Sequence, residues 1–128
     1  MKRVLFVCVE NSNRSQMAEA FARHHGGQSI EACSAGSRPS GTINPKAVRL
    51  MAELGISLEG QRSKSLNEID GRFDVVVTMG CGDSCPWIPT PRREDWALPD
   101  PRSLGDDGYR AIRDQIGVRV RQLLDSLQ

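Results

Sequence analysis

Two short apolar runs limit what this chain can become. Residues 3–8 place valine, leucine, phenylalanine and valine ahead of Cys8, and residues 73–79 hold three consecutive valines between Phe73 and Met79. Neither run alternates with polar residues over its centre, so each reads as a strand buried on both faces. Helix-forming stretches separate the strands. Residues 15–22 are rich in helix formers, Met17 and Phe21 share a face, and Gly26-Gly27 is a stop. Asn44 caps a second helix with Pro45 at its first position. Its expected apolar stripe is Ala47, Val48, Met51 and Leu54, ended by Gly55. Tyr109, Ile112, Ile116, Val120, Leu123, Leu124 and Leu127 mark a long C-terminal amphipathic helix whose arginines are expected on a solvated face. Residues 30–35 read as another strand, residues 36–42 as loop, residues 80–91 as loop or short helix, and residues 96–98 as a last strand.

Strands alternating with helices predict an α/β fold: one three-layer domain over residues 1–128, with a short parallel sheet flanked by helices and right-handed crossovers. At 128 residues the chain is long enough to bury a core. A formal net charge of +1 provides no global field for nucleic acid or an anionic membrane, so any anion site must be local. Apolar runs are too short to span a membrane. The basic start and following apolar residues are too short for a signal peptide and are interrupted by Glu10, so the cytoplasm is the default location. In that compartment Cys8, Cys33, Cys81 and Cys85 are expected to be catalytic, redox-active or metal-binding more often than structural disulfides. Cys33 falls in an expected buried strand and reads as core.

Ligands of such sheets sit beyond the carboxyl ends of the strands. There the first strand delivers Cys8-Val9-Glu10-Asn11-Ser12-Asn13-Arg14-Ser15. Backbone N–H groups of Val9, Glu10, Asn11, Ser12 and Asn13 can converge on an anion, helped by the helix that follows. Arg14 offers a planar fork to two oxygens of a tetrahedral oxyanion. The same field favours the attacking thiolate of Cys8, and Ser15 can donate its hydroxyl to the sulfur. Asn11 tolerates a left-handed backbone. The alternative is that Cys8 merely ends a buried strand.

The stretch from Cys8 through Gln16-Met17-Ala18-Glu19 resembles arsenate reductases built on the low-molecular-weight tyrosine phosphatase fold. Ser34-Ala35-Gly36, Val76-Val77-Thr78-Met79-Gly80-Cys81, Asp95-Trp96 and Asp100-Pro101 extend the likeness, with the thioredoxin-coupled type most similar. The resemblance implies that Cys81 attacks the sulfur–arsenic adduct on Cys8, that arsenite leaves, and that Cys85 takes over the Cys8–Cys81 disulfide. A spacing of four residues puts Cys81 and Cys85 near the limit of disulfide geometry, roughly 6 Å between Cα atoms on a helical turn. Gly80 and Gly82 let the segment unwind to close the bond. A zinc site at Cys81 and Cys85, or an inert Cys85, are the competing readings. Thioredoxin, glutaredoxin with glutathione, or mycothiol is the implied reductant.

Asp100 takes the place of the family's general acid, against the alternative of a simple Asp-Pro turn. No organic cofactor is implied. Asn11, Glu19 and Ser34 align with a potassium site of some relatives, the alternative being a hydrogen-bond network that shapes the loop. Two departures stand out. Position 13 is Asn13 where relatives often carry cysteine, and position 10 is Glu10 where glycine is frequent. A carboxylate at position 10 is expected to repel anionic substrates slightly. Arg102-Ser103-Leu104 follows the acid where phosphatases carry aromatic residues, which disfavours a grip on a tyrosine ring. Trp87 and Trp96 read as packing residues. Arsenate reduction is the leading function. The alternatives are phosphate-ester hydrolysis by Cys8, Arg14 and Asp100, and a non-catalytic oxyanion-binding or redox-sensing module.

Overall fold

The computed structural model describes residues 1–80 and 88–127. Strand β1 is Lys2–Cys8, β2 is Ile30–Gly36, β3 is Val75–Thr78 and β4 is Arg92–Asp95. All pairings are parallel, in the order β2-β1-β3-β4. Helix α1 is Arg14–Gly26, α2 is Pro45–Ala52 and α3 is Asp106–Ser126. The chain reverses direction across the sheet between β1 and β3, and such switch points are where open parallel sheets bind ligands.

The period-two geometry of β1 divides the core. Val4, Phe6 and Cys8 join α1, α2 and α3 on one face. Leu5 and Val7 face the other way, with Ala35, Phe73 and Val76. That second face is covered, among the described residues, by the 3-10 turn Leu66–Glu68 with Ile69 and Ile88. These are the three expected layers. Helix α1 lies in the middle of the first layer, and its residues from Ser15 through Ala22 are all buried. It ends at Gly27, whose φ of 55° suits glycine. Helix α3 approaches it closely at Gly117, where an added Cβ would meet the Phe21 ring at 3.0 Å.

Several sequence expectations are corrected. The last strand is the charged segment Arg92–Asp95, not residues 96–98. It is an edge strand that burial does not mark, and Trp96 only continues its ladder by donating to the Thr78 carbonyl at 2.8 Å. Trp96 is packed in the core as expected, against Phe6. In α2 the buried residues are Ala47, Leu50 and Met51, whereas Val48 and Leu54 are exposed. Cys33 is half-buried rather than core, and burial first, then the Glu19 charge, pushes its thiol up. Asn44 and Pro45 start α2 as expected, with the Asn44 side chain accepting from the Lys46 N–H at 2.9 Å. Trp87, Cys81 and Cys85 lie outside the described residues, as does most of the loop or helix expected over 80–91.

The arginines of α3 are not all solvated. Arg113 is buried and donates to the Leu50 carbonyl at 2.9 Å and to Glu53 at 2.8 Å. Arg110 reaches the same carboxylate at 2.7 Å, so Glu53 clasps α2 to α3. The Arg110 and Arg113 guanidiniums draw the Glu53 carboxyl down from the ordinary 4.5 to about 2. A depressed folded-state value gives stability that is present above pH 4.5 and lost as pH falls through about 2. Thermal melts of the wild type and Glu53→Gln should therefore differ most near neutrality and converge at the acid end. A midpoint difference that stays constant across that window contradicts the clasp.

Candidate active site

The loop that follows β1 is built by tying its carbonyls outward. The Val9 carbonyl accepts from the Arg38 N–H at 2.8 Å, and the Glu10 carbonyl accepts from the Ser40 N–H and the Ser63 hydroxyl, both at 3.0 Å. The Asn11 carbonyl accepts from Gln16 Nε2 and the Ser12 carbonyl from the Asn44 N–H, again both at 3.0 Å. A trans peptide aims its N–H opposite to its carbonyl. Four consecutive outward carbonyls therefore turn the N–H groups of Glu10, Asn11, Ser12 and Asn13 inward. None of these four N–H groups has an acceptor among the described residues. Asn11 makes the turn with a φ of 52°, the left-handed backbone expected of it, and it is fully buried.

Asn11 also organises the surroundings of Cys8. Its Nδ2 donates to the Ser15 hydroxyl at 2.8 Å, and that hydroxyl lies 2.8 Å from Cys8 Sγ. With the hydroxyl's lone pair occupied by Asn11, its proton is available to the sulfur. Its Oδ1 accepts from Gln16 and from the Lys64 N–H. Close approach at Gly36 makes this possible, because a Cβ there would lie 2.5 Å from the Val9 carbonyl oxygen and 3.1 Å from the Asn11 nitrogen.

Arg14 opens α1 and spends one corner of its guanidinium on the protein. Its Nη1 donates to the Met79 carbonyl at 2.5 Å and the Leu98 carbonyl at 2.6 Å. The Nε and Nη2 edge remains for two oxygens of an anion. A cavity of about 460 Å³ is lined by Cys8, Val9, Glu10, Ser12, Asn13 and Arg14, with Arg38, Asp100 and Arg102 at its sides. Asn11 and Ser15, expected as substrate contacts, support the loop and the sulfur instead of lining the cavity. Asp100 is half-buried, and its Oδ1 caps the turn Pro101–Ser103 by accepting from the Arg102 N–H at 3.0 Å.

Three participants were not among the expected site residues. Arg38 lines the cavity from the segment after β2. Arg102 pairs with Glu10 at 2.6 Å, so Glu10 is not a bare repelling charge. The fully buried Tyr109 donates its phenol to Asn13 Oδ1 across 96 residues of sequence. Burial, and then the Asp100 charge, push the Tyr109 phenol well above the usual tyrosine range, which keeps it a donor.

The residues aligned with a potassium site do not fit one. Glu19 is buried, and its Oε1 accepts from the Ser34 hydroxyl at 2.6 Å. Arg23 sits 2.8 Å from the same carboxylate and the Lys64 ammonium 3.8 Å away. The charge is thus balanced by two protein cations, and Asn11 Oδ1 already accepts from two protein donors.

A family model for low molecular weight phosphotyrosine protein phosphatases matches residues 3–128. A glutaredoxin arsenate reductase from Synechocystis sp. is 39% identical over 128 residues, with 97% of each chain covered. A solved structure of an arsenate reductase in the phosphate binding state superposes with a TM-score of 0.92 at 38% identity over 100% of both chains. A thioredoxin-dependent arsenate reductase from Corynebacterium glutamicum is 37% identical with a TM-score of 0.83, over 100% of this chain and 62% of that one.

Replacing Gly36 by alanine tests the loop's support. The overlap with the Val9 carbonyl should lower stability by about 1–3 kcal/mol and weaken inorganic phosphate binding. Thermal melts and calorimetric titration read the two effects. Unchanged affinity would show that the carbonyl tethers do not set the loop's shape.

Proposed function

The chain belongs to the low molecular weight phosphotyrosine protein phosphatase family, and from that premise we propose that it reduces arsenate to arsenite with Cys8 as nucleophile. The observation that carries the reading is Cys8 Sγ at 2.8 Å from the Ser15 hydroxyl, opening on a cavity lined by the oxyanion loop and Arg14. The inward N–H groups and the free guanidinium edge hold three arsenate oxygens. The Cys8 thiolate attacks arsenic and a sulfur–arsenic bond forms, while the arsenic–oxygen bond to the opposite hydroxyl breaks and that hydroxyl leaves as water after taking a proton from Asp100.

The second step needs an attacking thiolate within reach of the bonded sulfur. We assign it to Cys81. The end of β3 supports this assignment. The Met79 N–H donates to the Val7 carbonyl at 2.9 Å, and its carbonyl is held by Arg14, so the chain leaves Gly80 beside the cavity. Gly80 has a φ of 78°, and its N–H donates to Asp95 at 3.2 Å, fixing the point of departure. Attack on Cys8 Sγ forms the Cys8–Cys81 disulfide and leaves the bonding electron pair on arsenic, which departs as arsenite, reduced by two electrons. Cys85 then attacks Cys81, frees Cys8 and forms the Cys81–Cys85 disulfide.

A thiol reductant closes the cycle. Thioredoxin suits this route best, since a protein dithiol reduces a disulfide carried away from the cavity. Glutaredoxin with glutathione, or mycothiol, would act directly on Cys8. Phosphate-ester hydrolysis uses the same Cys8, Arg14 and Asp100 and would survive the loss of Cys81.

Single-turnover arsenite release with peptide mapping separates these routes. Cys8→Ser should release no arsenite while still binding phosphate. Without added thiols, Cys81→Ser should release none, whereas Cys85→Ser should release one equivalent and accumulate the Cys8–Cys81 disulfide. Full multiple turnover by Cys85→Ser with thioredoxin alone would reduce the relay to two cysteines. Arsenite released by Cys8→Ser would overturn the reading.

A further inference from the structure

The cavity that holds Cys8 has one feature the reduction of arsenate does not use. Glu10 and Arg102 both line it, and Arg102 Nη1 lies 2.6 Å from Glu10 Oε2. Their side chains are 38% and 61% exposed, which places the pair at the rim rather than on the floor. We propose that the Glu10–Arg102 ion pair is a selectivity gate that admits inorganic tetrahedral oxyanions and obstructs phosphate esters.

Displacement at a tetrahedral centre places the attacking and leaving atoms roughly in line. With Cys8 attacking from the buried end of the cavity, the leaving oxygen points outward, toward Asp100. Glu10 and Arg102 stand on that same outward path. Both ends of the pair are anchored. The Glu10 carbonyl is held by the Ser40 N–H and the Ser63 hydroxyl, both at 3.0 Å. Arg102 is held by its own N–H to Asp100 Oδ1 at 3.0 Å, and its Nε lies 3.6 Å from Asp100 Oδ2. The ion pair therefore bridges the oxyanion loop and the acid's turn, which are 92 residues apart in sequence.

Arsenate has only an oxygen to lose in that direction, with no further group to meet the bridge. An ester carries an organic group on the same oxygen. That group must displace the bridge, separating two charges and disturbing the turn that presents Asp100. The gate thus acts on the leaving group and not on the three oxygens held by the loop. Glu10 reaches the rim from the oxyanion loop, and Arg102 meets it there from the turn after Asp100.

This inference rests on the reduction reading for its physiological meaning, but its test does not. Glu10→Ala, Arg102→Ala and the double variant are compared with the wild type for hydrolysis of p-nitrophenyl phosphate, inhibition by inorganic phosphate, and arsenate reduction. The readout is the ratio of the inhibition constant of inorganic phosphate to the KM of the ester. Both ligands are anions, so the ratio cancels the general effect of changing a charge. Each single variant should raise it about tenfold, the scale on which a pocket discriminates by one small group. The double variant should add little to either, because both singles break the same contact. The ester-to-arsenate ratio of kcat/KM should rise in parallel. A phosphate-to-ester ratio within about twofold of wild type in either single variant would overturn the gate, whereas an absence of arsenite from the wild type would overturn only the reduction reading.

Discussion

The outward tethering of four consecutive carbonyls, from Val9 to Ser12, is the constraint on which the rest of the site depends. A loop of this length has no reason of its own to aim its N–H groups at one point. Partners outside it supply that reason: the segment after β2, Ser63, Gln16 and Asn44. The buried polar groups involved would be costly if left unpaired, so the loop has little freedom once β2 and α2 are in place. Gly36 is the point where β2 must give way for this to happen. The fold thus sets the loop's shape through backbone hydrogen bonds, and the inward N–H groups are a by-product of satisfying carbonyls.

Arg14 extends the same logic across the sheet. Its Nη1 ties the end of β3, through Met79, to the Leu98 carbonyl that precedes Asp100. One guanidinium therefore ties the start of α1 to the end of β3 and to the segment leading to Asp100. Asp95 pins the same strand end from β4, accepting from Thr78 at 2.7 Å and from the Gly80 N–H. On the far side, Tyr109 from α3 secures Asn13. The loop after Cys8, the end of β3 and the segment before Asp100 are thus held by contacts from α1, β4 and α3.

How much of this was legible in the sequence follows from what each residue signals. β1 and β3 were legible because strands buried on both faces must be apolar. The N-terminal cap of α2 and the left-handed Asn11 were legible because Asn44-Pro45 and Asn11 have strong local preferences, whereas α2 ends at Ala52, before the Gly55 that the sequence marks. β4 was not, since Arg92-Arg93-Glu94-Asp95 sits at an edge and carries no burial pattern. Leu50 displaced Val48 and Leu54 from the buried stripe of α2 because tertiary packing chooses the face. Within the site, Cys8, Arg14 and Ser15 were legible from their order at a strand-to-helix turn. Arg102 and Tyr109 were not, because their partners Glu10 and Asn13 are 92 and 96 residues away. The roles of Cys81 and Cys85 come from resemblance, and the spacing only permits them. Buried Arg113 looked like a surface residue because its partners, Leu50 and Glu53, lie in α2 and at its C-terminal end.

The backbone amide spectrum of the reduced protein, followed through a titration with inorganic phosphate, tests the central claim most directly. If the outward carbonyls turn the loop into an anion cradle, the amides of residues 9–15 will shift together. They will saturate at the concentration where phosphate inhibits arsenate reduction. Loop amides that stay still while phosphate inhibits would contradict the account, since the oxyanion would then be held by side chains alone.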